Sequence, residues 1–393
     1  MKRHSSSSIR VVLACALGAL AVTLAPLGAQ TPAAKATATQ APAAKAPAAK
    51  AKWVVPRTPD GKPDLQGNWS NETQTPLERQ GKQGLTLTDA EAKAIEDRAK
   101  FVEEFRDKAS DPNRPEPSKG GDGKSLTAPG QPSFIEVIAE SAGGRVGGYN
   151  GFWLDPGNSV IRIDGVARSS IIVDPPDGRV PAMTPEAKQR LSARAAEAKK
   201  FGEFDHPEVR PLSDRCLMSF GSNAGPPMLP NYFYNNNYTI VQTKDYVMIL
   251  TEMVHDVRIV RLNDKTHAPP QIRPWMGDSI GRWEGDTLVV ETTNIHPTEL
   301  AQSSILWAYR GATDKLKVTE RFTRTGPDTI LYKFTMDDPS TFVAPFSGEL
   351  PFNRIEENVY EYACHEGNYA MSNILSGERQ KEKRDTTQKK QQQ

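Results

Sequence analysis

The residue types and positions needed for acid–base chemistry occur at four places: His255, Glu320, His365 and Glu366. In a predicted strand, His255 is in phase with Val257 and Ile259, and Glu320 is in phase with Phe322 in another. Both side chains are therefore predicted to face an apolar core, where an ionisable group is costly unless it is partnered or solvated. They are candidates for general acid–base catalysis. The alternative is a rim position with a hydrogen-bond partner.

A second group of residues has the mixture of aromatic, amide and charged side chains that lines ligand sites at barrel mouths. These residues come from three predicted loops, and asparagine runs of this kind also occur in plain turns. The predicted ligand-binding residues are Asn235, Asn236, Tyr238, Arg273, Trp275, Asp278, Asn368 and Tyr369.

Metal and cofactor chemistry is not predicted. The pair His365-Glu366 lacks the second histidine of a His-Glu-x-x-His helix, because position 369 is Tyr369, and the other histidines are scattered. The sequence contains no Gly-x-Ser-x-Gly elbow, phosphate loop or dinucleotide fingerprint. We therefore expect no cofactor. The charges, Lys+Arg 49 and Asp+Glu 48, give a net charge of +1, so nucleic acid is not an expected partner.

Short segments with period-two alternation dominate the chain and predict β-strands with one face in a core and the other in water. Polar or glycine turns such as residues 243–245 and Gly285-Asp286 separate several of them. The predicted strands are residues 149–154, 160–163, 169–173, 237–243, 246–253, 255–262, 283–293, 316–324, 329–336, 346–352 and 358–364.

Two helices are predicted from their start signals. Thr88 and Glu91 form a capping box at the start of a helix that runs to about Lys108. Thr184 precedes a proline at the first position of a second helix, which runs to about Lys200. Both helices carry few apolar residues, so they are predicted to lie on the outside of the sheet.

This pattern predicts a mainly β fold: an antiparallel meander that forms a closed or strongly curled barrel, with two peripheral helices. The triplets Gly67-Asn-Trp69, Gly151-Phe-Trp153 and Gly281-Arg-Trp283 each have a Gly-x-Trp pattern. A tryptophan of this type near a barrel's first strand resembles the lipocalins, members of the calycin class. That resemblance implies a lipocalin-like barrel.

The ends of the chain differ from its middle. Residues 1–29 are predicted to be a signal peptide, with a basic start, an apolar stretch and a cleavage site after Ala29; an uncleaved anchor and a lipoprotein are the alternatives. Residues 30–52 are predicted to be an Ala/Pro/Lys-rich disordered linker, and residues 378–393 a disordered polar tail. The segment 53–377 is predicted to be a single β-rich domain with a helical annex.

Five segments of the chain resemble a family of secreted bacterial proteins of unassigned function. They include Ile171-Ile-Val-Asp-Pro-Pro-Asp-Gly-Arg179, Gly225-Pro-Pro-Met-Leu-Pro230 and Tyr362-Ala-Cys-His-Glu-Gly-Asn-Tyr369. This resemblance implies export and one long domain, and it implies no activity.

Cys216 and Cys364 are the two cysteines that remain after signal cleavage, and in an exported chain they are predicted to form a disulfide; two buried thiols are the alternative. The bond would place His365 and Glu366 near the segment that follows Cys216.

Two functions are predicted. One is a periplasmic or secreted barrel that binds a small, partly apolar or sugar-like ligand without a stable membrane span. The other is a cofactor-free lyase, isomerase or hydrolase. Neither prediction fixes the oligomeric state.

Overall fold

The structure is a computed structural model that describes residues 53–106, 154–220, 224–232, 234–254, 256–302 and 311–391. Residues from Trp53 to Gln393 form one unit. The predicted signal peptide and linker lie outside the described residues. So do residues 149–153 of a predicted strand, and His255.

Twelve strands lie within the described residues. They are β1 (Gly67–Ser70), β2 (Arg162–Ile163), β3 (Val166–Ala167), β4 (Ile172–Asp174), β5 (Asn237–Gln242), β6 (Tyr246–Thr251), β7 (Asp256–Arg261), β8 (Asp278–Glu284), β9 (Thr287–Thr293), β10 (Lys317–Gly326), β11 (Thr329–Asp337) and β12 (Phe346–Ile355). The strands β5 to β12 pair in chain order, and β1 pairs with both β5 and β12. These nine strands close into a barrel, which confirms the predicted fold class. The short strand β4 pairs with the start of β12.

The meander is antiparallel except between β7 and β8. These two strands are parallel and pair through Val260 with Ser279 and through Arg261 with Ile280. The prediction of an entirely antiparallel barrel is therefore wrong at this position. The connection, residues 262–277, leaves the end of β7 and turns back far enough for β8 to start beside the last residues of β7 and run in the same direction.

Alternating apolar residues of the strands fill the barrel interior. On β10 and β11 the predicted alternation is confirmed, since Val318, Phe322, Tyr332 and Phe334 are buried inside. Their rings pack against Phe352 of β12 and against one another. A barrel of about this size has an interior that side chains can fill.

Trp69 of β1 is fully buried, and its indole N–H donates to the Leu65 carbonyl at 3.0 Å. The guanidinium groups of Arg354 and Arg324 lie 4.6 and 5.4 Å from its ring centre. These contacts close one end of the barrel around the indole.

Four helices lie among the described residues: α1 (Asp89–Arg106), α2 (Pro185–Ala198), α3 (Pro297–Gln302) and α4 (Ala370–Gln391). The first two correspond to the predicted helices. At the start of α1, the Thr88 N–H donates to the Glu91 carboxylate and the Glu91 N–H donates to the Thr88 hydroxyl, as the capping box predicts. Thr184 caps α2 through the Ala187 N–H.

Two predictions for the C-terminal part of the chain are corrected by the structure. Residues 358–364 are not a strand; they run outside the barrel, where Asn68 donates to the Glu357 carbonyl. The predicted disordered tail lies largely in α4, which has no buried residue. Arg379 of α4 donates to the carbonyl groups of Phe204 and Asp205 at 3.1 and 2.9 Å.

Gly348 of β12 allows close packing of the Phe334 ring against the barrel wall. A Cβ atom there would lie 2.5 Å from the Phe334 ring and 3.0 Å from the Ile171 carbonyl oxygen. We expect Gly348→Ala to lower the free energy of unfolding by about 1–3 kcal/mol through overpacking. Gly326→Ala is the matched control, because its Cβ would meet Thr329 at 3.9 Å. Urea denaturation of both variants measures the difference, and equal midpoints would contradict the packing described.

Candidate functional site

The two ends of the barrel differ in their connections. Turns of two or three residues join β5 to β6, β8 to β9 and β10 to β11 at one end, the tight-turn end. At the opposite end, the long-loop end, β1, β9 and β11 finish and β5, β10 and β12 begin. Residues 175–236 and 294–316 are the long connections that reach it. Ligand sites of barrels occur at such mouths.

A charged network lies inside the barrel near the long-loop end. Arg258 of β7 and Glu320 of β10 form a two-pronged ion pair, with Nη2 and Oε1 at 2.9 Å. The Tyr332 hydroxyl of β11 donates to Glu320 Oε1 at 2.8 Å. Arg258 is 3 % exposed, and Glu320 and Tyr332 are fully buried. The predicted inward direction of Glu320 is confirmed.

The structure corrects the predicted phase of β7, that is, which of its residues face the barrel interior. Val257 and Ile259 are exposed on the outer wall, and Arg258 and Val260 point inward. The prediction that Val257 and Ile259 face the core, from which the inward direction of His255 was predicted, is therefore wrong. Arg258 takes the inward phase because it pairs with Glu320.

A buried amide connects the network to the chain segment that covers the long-loop end. We call residues 224–231 the plug, because every one of them is buried. The Met228 N–H of the plug donates to the Tyr332 hydroxyl at 2.9 Å. The Asn71 Nδ2 donates to the Met228 carbonyl at 3.1 Å and to the Tyr238 hydroxyl at 3.3 Å. Asn71 is 1 % exposed, and its Oδ1 has no hydrogen-bond partner among the described residues.

Burial raises the pKa of both tyrosine hydroxyls in the network, and in Tyr332 the neighbouring Glu320 carboxylate adds to the increase. Both hydroxyls are therefore protonated at neutral pH. Taking an ion pair out of water costs several kcal/mol per charge, roughly what the mutual attraction and hydrogen bonds return. Apolar residues of similar volume would stabilise the interior at least as well, so the network points to a role other than packing.

Two asparagine side chains bind a buried carboxylate at the rim of the same end. The Asn237 Nδ2 donates to Glu252 at 2.9 Å. Burial raises the pKa of the Glu252 carboxyl, and hydrogen bonds from Asn235 and Asn237 oppose that increase. Asn236 is 2 % exposed and accepts the Asn231 N–H of the plug at 2.7 Å. The predicted Asn235 and Asn236 thus lie at the long-loop end, where they hold the rim and the plug.

Two carboxyl groups meet beside Asn71. Residues 154–161, which we call the strap, pack against residues 71–75, and Asp155 of the strap lies beside Glu72. Burial of the half-buried Glu72, together with the Asp155 and Glu103 carboxyls, raises the pKa of Glu72 from 4.5 to about 8. The Glu72 carboxyl therefore keeps its proton at neutral pH.

This raised pKa predicts a specific dependence of stability on pH. Between pH 4.5 and about 8 the folded chain keeps a proton on Glu72 that the unfolded chain has lost, so the free energy of unfolding falls as the pH rises through that window. Glu72→Gln removes this loss and should stabilise the protein at pH 8 by roughly 2 kcal/mol, allowing for screening by water. Guanidinium denaturation at pH 5 and pH 8 measures it. The exposed Glu104→Gln is the control; parallel profiles for wild type and Glu72→Gln would contradict the raised pKa of Glu72.

Trp275 lies in a second cluster that leads into the long-loop end. Its indole stacks on His296, with ring centres 4.1 Å apart. The His296 Nδ1 accepts the Thr298 N–H at 3.2 Å, and burial, with Arg273 nearby, lowers the pKa of His296. The Arg273 Nε donates to the Ile295 carbonyl at 3.0 Å, and its Nη2 is buried without a partner among the described residues. The predicted Arg273 and Trp275 therefore share one cluster.

Asp278 is tied into the outer wall of the barrel. Its carboxylate bonds to Arg261, to the Ala268 N–H at 2.9 Å and to His267 Nδ1 at 2.9 Å. Burial would raise the pKa of Asp278, but these hydrogen bonds outweigh it and lower the pKa to about 2. His267 also contacts Glu291 at 3.3 Å. These bonds anchor the connection between β7 and β8. Asp278, predicted to bind a ligand, therefore holds this connection in place.

The structure separates the remaining predicted site residues. Tyr238 is fully buried and stacks on Phe352, so it belongs to the interior and not to a barrel mouth. The Cys216 and Cys364 sulfurs are 2.02 Å apart, at the distance of the predicted disulfide. This places the exposed residues His365, Glu366, Asn368 and Tyr369 beside Cys216, where Asn368 donates to its sulfur at 3.2 Å. Glu366 is thus exposed, whereas Glu320 is fully buried, so these two predicted acids lie in different environments.

The sequence comparisons name no relative. No family model matches the sequence, and no curated protein matches it. The resemblance to secreted bacterial proteins and to lipocalins remains a prediction. Within the described residues, no helix is long and apolar enough to cross a bilayer. The same residues contain no group of three or more His, Cys, Asp or Glu side chains arranged to hold a metal ion.

Proposed function

We propose that this protein is an exported binding protein that holds a small, partly apolar or sugar-like ligand at the long-loop end of its barrel. The observation that carries the proposal is the Asn71 carboxamide. It is a buried side chain beside a charged network, and its acceptor Oδ1 has no hydrogen-bond partner among the described residues. A buried acceptor that lacks a partner costs about 1–3 kcal/mol, which a ligand with a matching donor would recover.

The surroundings of Asn71 suggest the class of ligand. Tyr238 and Phe352 stack at 5.2 Å, and Tyr332 lies 5.0 Å from Phe352, so aromatic faces adjoin the polar groups. A ligand that carries a hydroxyl or amide N–H on an apolar or pyranose frame would match both features. Entry requires the plug to move, because Met228 and its neighbours cover the network.

Export is the second part of the proposal. It is supported by the basic and apolar start of the sequence and by the Cys216–Cys364 pair at bonding distance, since disulfides persist in oxidising compartments. The periplasm and the external medium are both consistent with these observations.

One observation favours the alternative, a cofactor-free enzyme. Glu72 has a pKa of about 8 at the rim, within the range that suits a general acid or base near neutral pH. Glu320, predicted for that role, already shares its carboxylate with Arg258 and Tyr332. An enzyme here would therefore use Glu72, or the predicted His255 and His365, and it would turn over the compound that binds.

A thermal-shift screen of the purified protein against sugars, aromatic compounds, lipids and metal ions tests the proposal, with product analysis of each hit. We expect a hit to raise the melting temperature of the wild type and not of Asn71→Leu, whose folding is checked by circular dichroism. Asn263→Leu, an exposed change at the tight-turn end, is the control and should keep the shift. A shift that survives Asn71→Leu would contradict the proposed site, and a released product would establish the enzyme.

A further inference from the structure

Two chain segments at the long-loop end, one before β8 and one after β9, are bonded to each other. The Arg273 Nε donates to the Ile295 carbonyl at 3.0 Å, and the His296 N–H donates to the Pro274 carbonyl at 3.0 Å. The Trp275 indole stacks on the His296 ring. These reciprocal contacts bring three side chains together in what we call the donor cluster: Arg273, Trp275 and His296.

The close approach of the two segments depends on Gly277. Its φ is +76°, a conformation that favours glycine, and a Cβ there would lie 2.6 Å from the Thr293 carbonyl oxygen and 2.9 Å from the Ile295 side chain. The Gly277 N–H also donates to the Pro274 carbonyl, at 3.1 Å. The segments are therefore fitted to each other, and backbone contacts hold the donor cluster in place.

The donor cluster has N–H groups that bond to no acceptor. Because the His296 Nδ1 accepts the Thr298 N–H, the proton of the neutral imidazole is on Nε2. This Nε2–H, the Trp275 indole N–H and both terminal nitrogens of Arg273 have no hydrogen-bond partner among the described residues. The Arg273 Nη2 is buried, and a buried donor without an acceptor is destabilising. An occupant with acceptor oxygens would therefore stabilise the cluster.

The charge of the donor cluster indicates the class of occupant. Arg273 is cationic, and no carboxylate within the described part of the chain pairs with it. Burial and the nearby Arg273 lower the pKa of His296, so the imidazole is neutral at pH 7.5. The cluster then carries one positive charge, which one carboxylate neutralises and a phosphate dianion exceeds. The planar fork of a guanidinium also matches the two oxygens of a carboxylate.

We propose that the donor cluster binds the carboxylate of a small organic acid, with the Arg273 guanidinium and the His296 Nε2–H as donors to its oxygens. This site goes beyond the proposed function, because it does not use the Asn71 carboxamide. Its three side chains are half-buried, so solvent reaches them. Asn71, by contrast, lies beneath the plug, which it contacts through Met228.

Fluorine NMR titration of the purified protein with para-fluorobenzoate at pH 7.5 tests the site, and para-fluorobenzyl alcohol is the neutral counterpart. We expect the protein to broaden the benzoate signal and to leave the alcohol signal nearly unchanged. Arg273→Met should weaken benzoate binding by about tenfold to a hundredfold. Arg273→Lys should weaken it less, because lysine keeps the charge but lacks the fork. His296→Phe keeps a ring on Trp275 without the Nε2–H and should cost about threefold to tenfold.

Two controls make the test specific, and circular dichroism checks the folding of every variant. Arg282→Met removes one positive charge from the exposed outer wall and should keep the wild-type affinity. Asn71→Leu should also keep it, which separates this site from the proposed one. Equal affinity in the wild type and Arg273→Met, or no preference for the benzoate over the alcohol, would overturn the carboxylate site. A loss in Asn71→Leu without a loss in Arg273→Met would overturn it and support the interior site.

Discussion

Arg258→Met is expected to lower the free energy of unfolding by about 3–5 kcal/mol, because removing one member of a buried ion pair leaves the other charge uncompensated. Glu320 is fully buried and would keep only the Tyr332 hydroxyl as a described partner in the barrel interior. Guanidinium denaturation at pH 7 measures the change. The double variant Arg258→Met/Glu320→Leu should recover most of the loss, since neither charge then remains inside.

The control for this substitution lies on the neighbouring surface. Arg321 of β10 pairs with Glu284 at 2.7 Å, and the two side chains are 42 % and 40 % exposed. Arg321→Met should leave the denaturation midpoint nearly unchanged, because exposed ion pairs contribute little. If Arg258→Met were no more costly than Arg321→Met, or if the double variant recovered nothing, the network would not be the sealed ion pair described above.

Removing the disulfide is expected to have the second large effect. Cys216 and Cys364 are separated by 148 residues, and closing a loop of that size stabilises the folded chain by roughly 4–5 kcal/mol on the chain-entropy model. The double variant Cys216→Ser/Cys364→Ser should lose about that amount in guanidinium denaturation. It should also release residues 356–369 from the long-loop end, where the Tyr360 backbone bonds to Glu252.

Thiol titration of the denatured wild-type protein is the accompanying control. A protein with the bond formed yields no reactive thiol from Cys216 or Cys364 until a reductant is added. Two thiols without reductant would show that the bond is absent. A double serine variant as stable as the oxidised wild type would contradict the large loop-closure effect.

The strand pattern predicted the barrel well where one face of a strand is uniformly apolar. On β10, Val318 and Phe322 are inside as predicted, because the barrel interior takes every second residue. On β7 the same rule assigned the wrong face. Period-two alternation shows which residues share a face, but it does not show which face lies inside. Here Arg258 is inside, and Val257 and Ile259 are outside. A charged residue inside a barrel is favoured only by its partner on a distant strand.

The candidate site was predicted only in part for the same reason. Glu320 was predicted to be buried, but its partner Arg258 is 62 residues away in the sequence. Asn71 and Tyr238 are 167 residues apart, and nothing local distinguishes a buried asparagine from one in a turn. Glu72 could not be found from sequence, because its raised pKa arises from burial and from the neighbouring Asp155, and both exist only in the fold. These residues could be found only after the barrel had brought their strands together.

Outside the barrel, composition was the weaker guide. The polar residues of 378–391 predicted disorder, but Glu, Lys, Arg and Gln are also good helix formers, and they lie in α4. Residues 358–364 alternate like a strand, but the bond from Cys364 to Cys216 and the contact between Tyr360 and Glu252 draw them to the long-loop end. There they have no strand neighbour among the described residues.

A crystallographic fragment screen is the most direct test of the account, because it locates bound molecules without assuming their identity. Crystals of the wild type and of Glu72→Gln would be soaked with small hydroxyl- and amide-bearing aromatic and sugar fragments. We predict density at the long-loop end, with a fragment donor within hydrogen-bond distance of Asn71 Oδ1 and the plug displaced. Fragments bound only at the tight-turn end or on the outer wall, with Asn71 Oδ1 satisfied by ordered water in every structure, would contradict it.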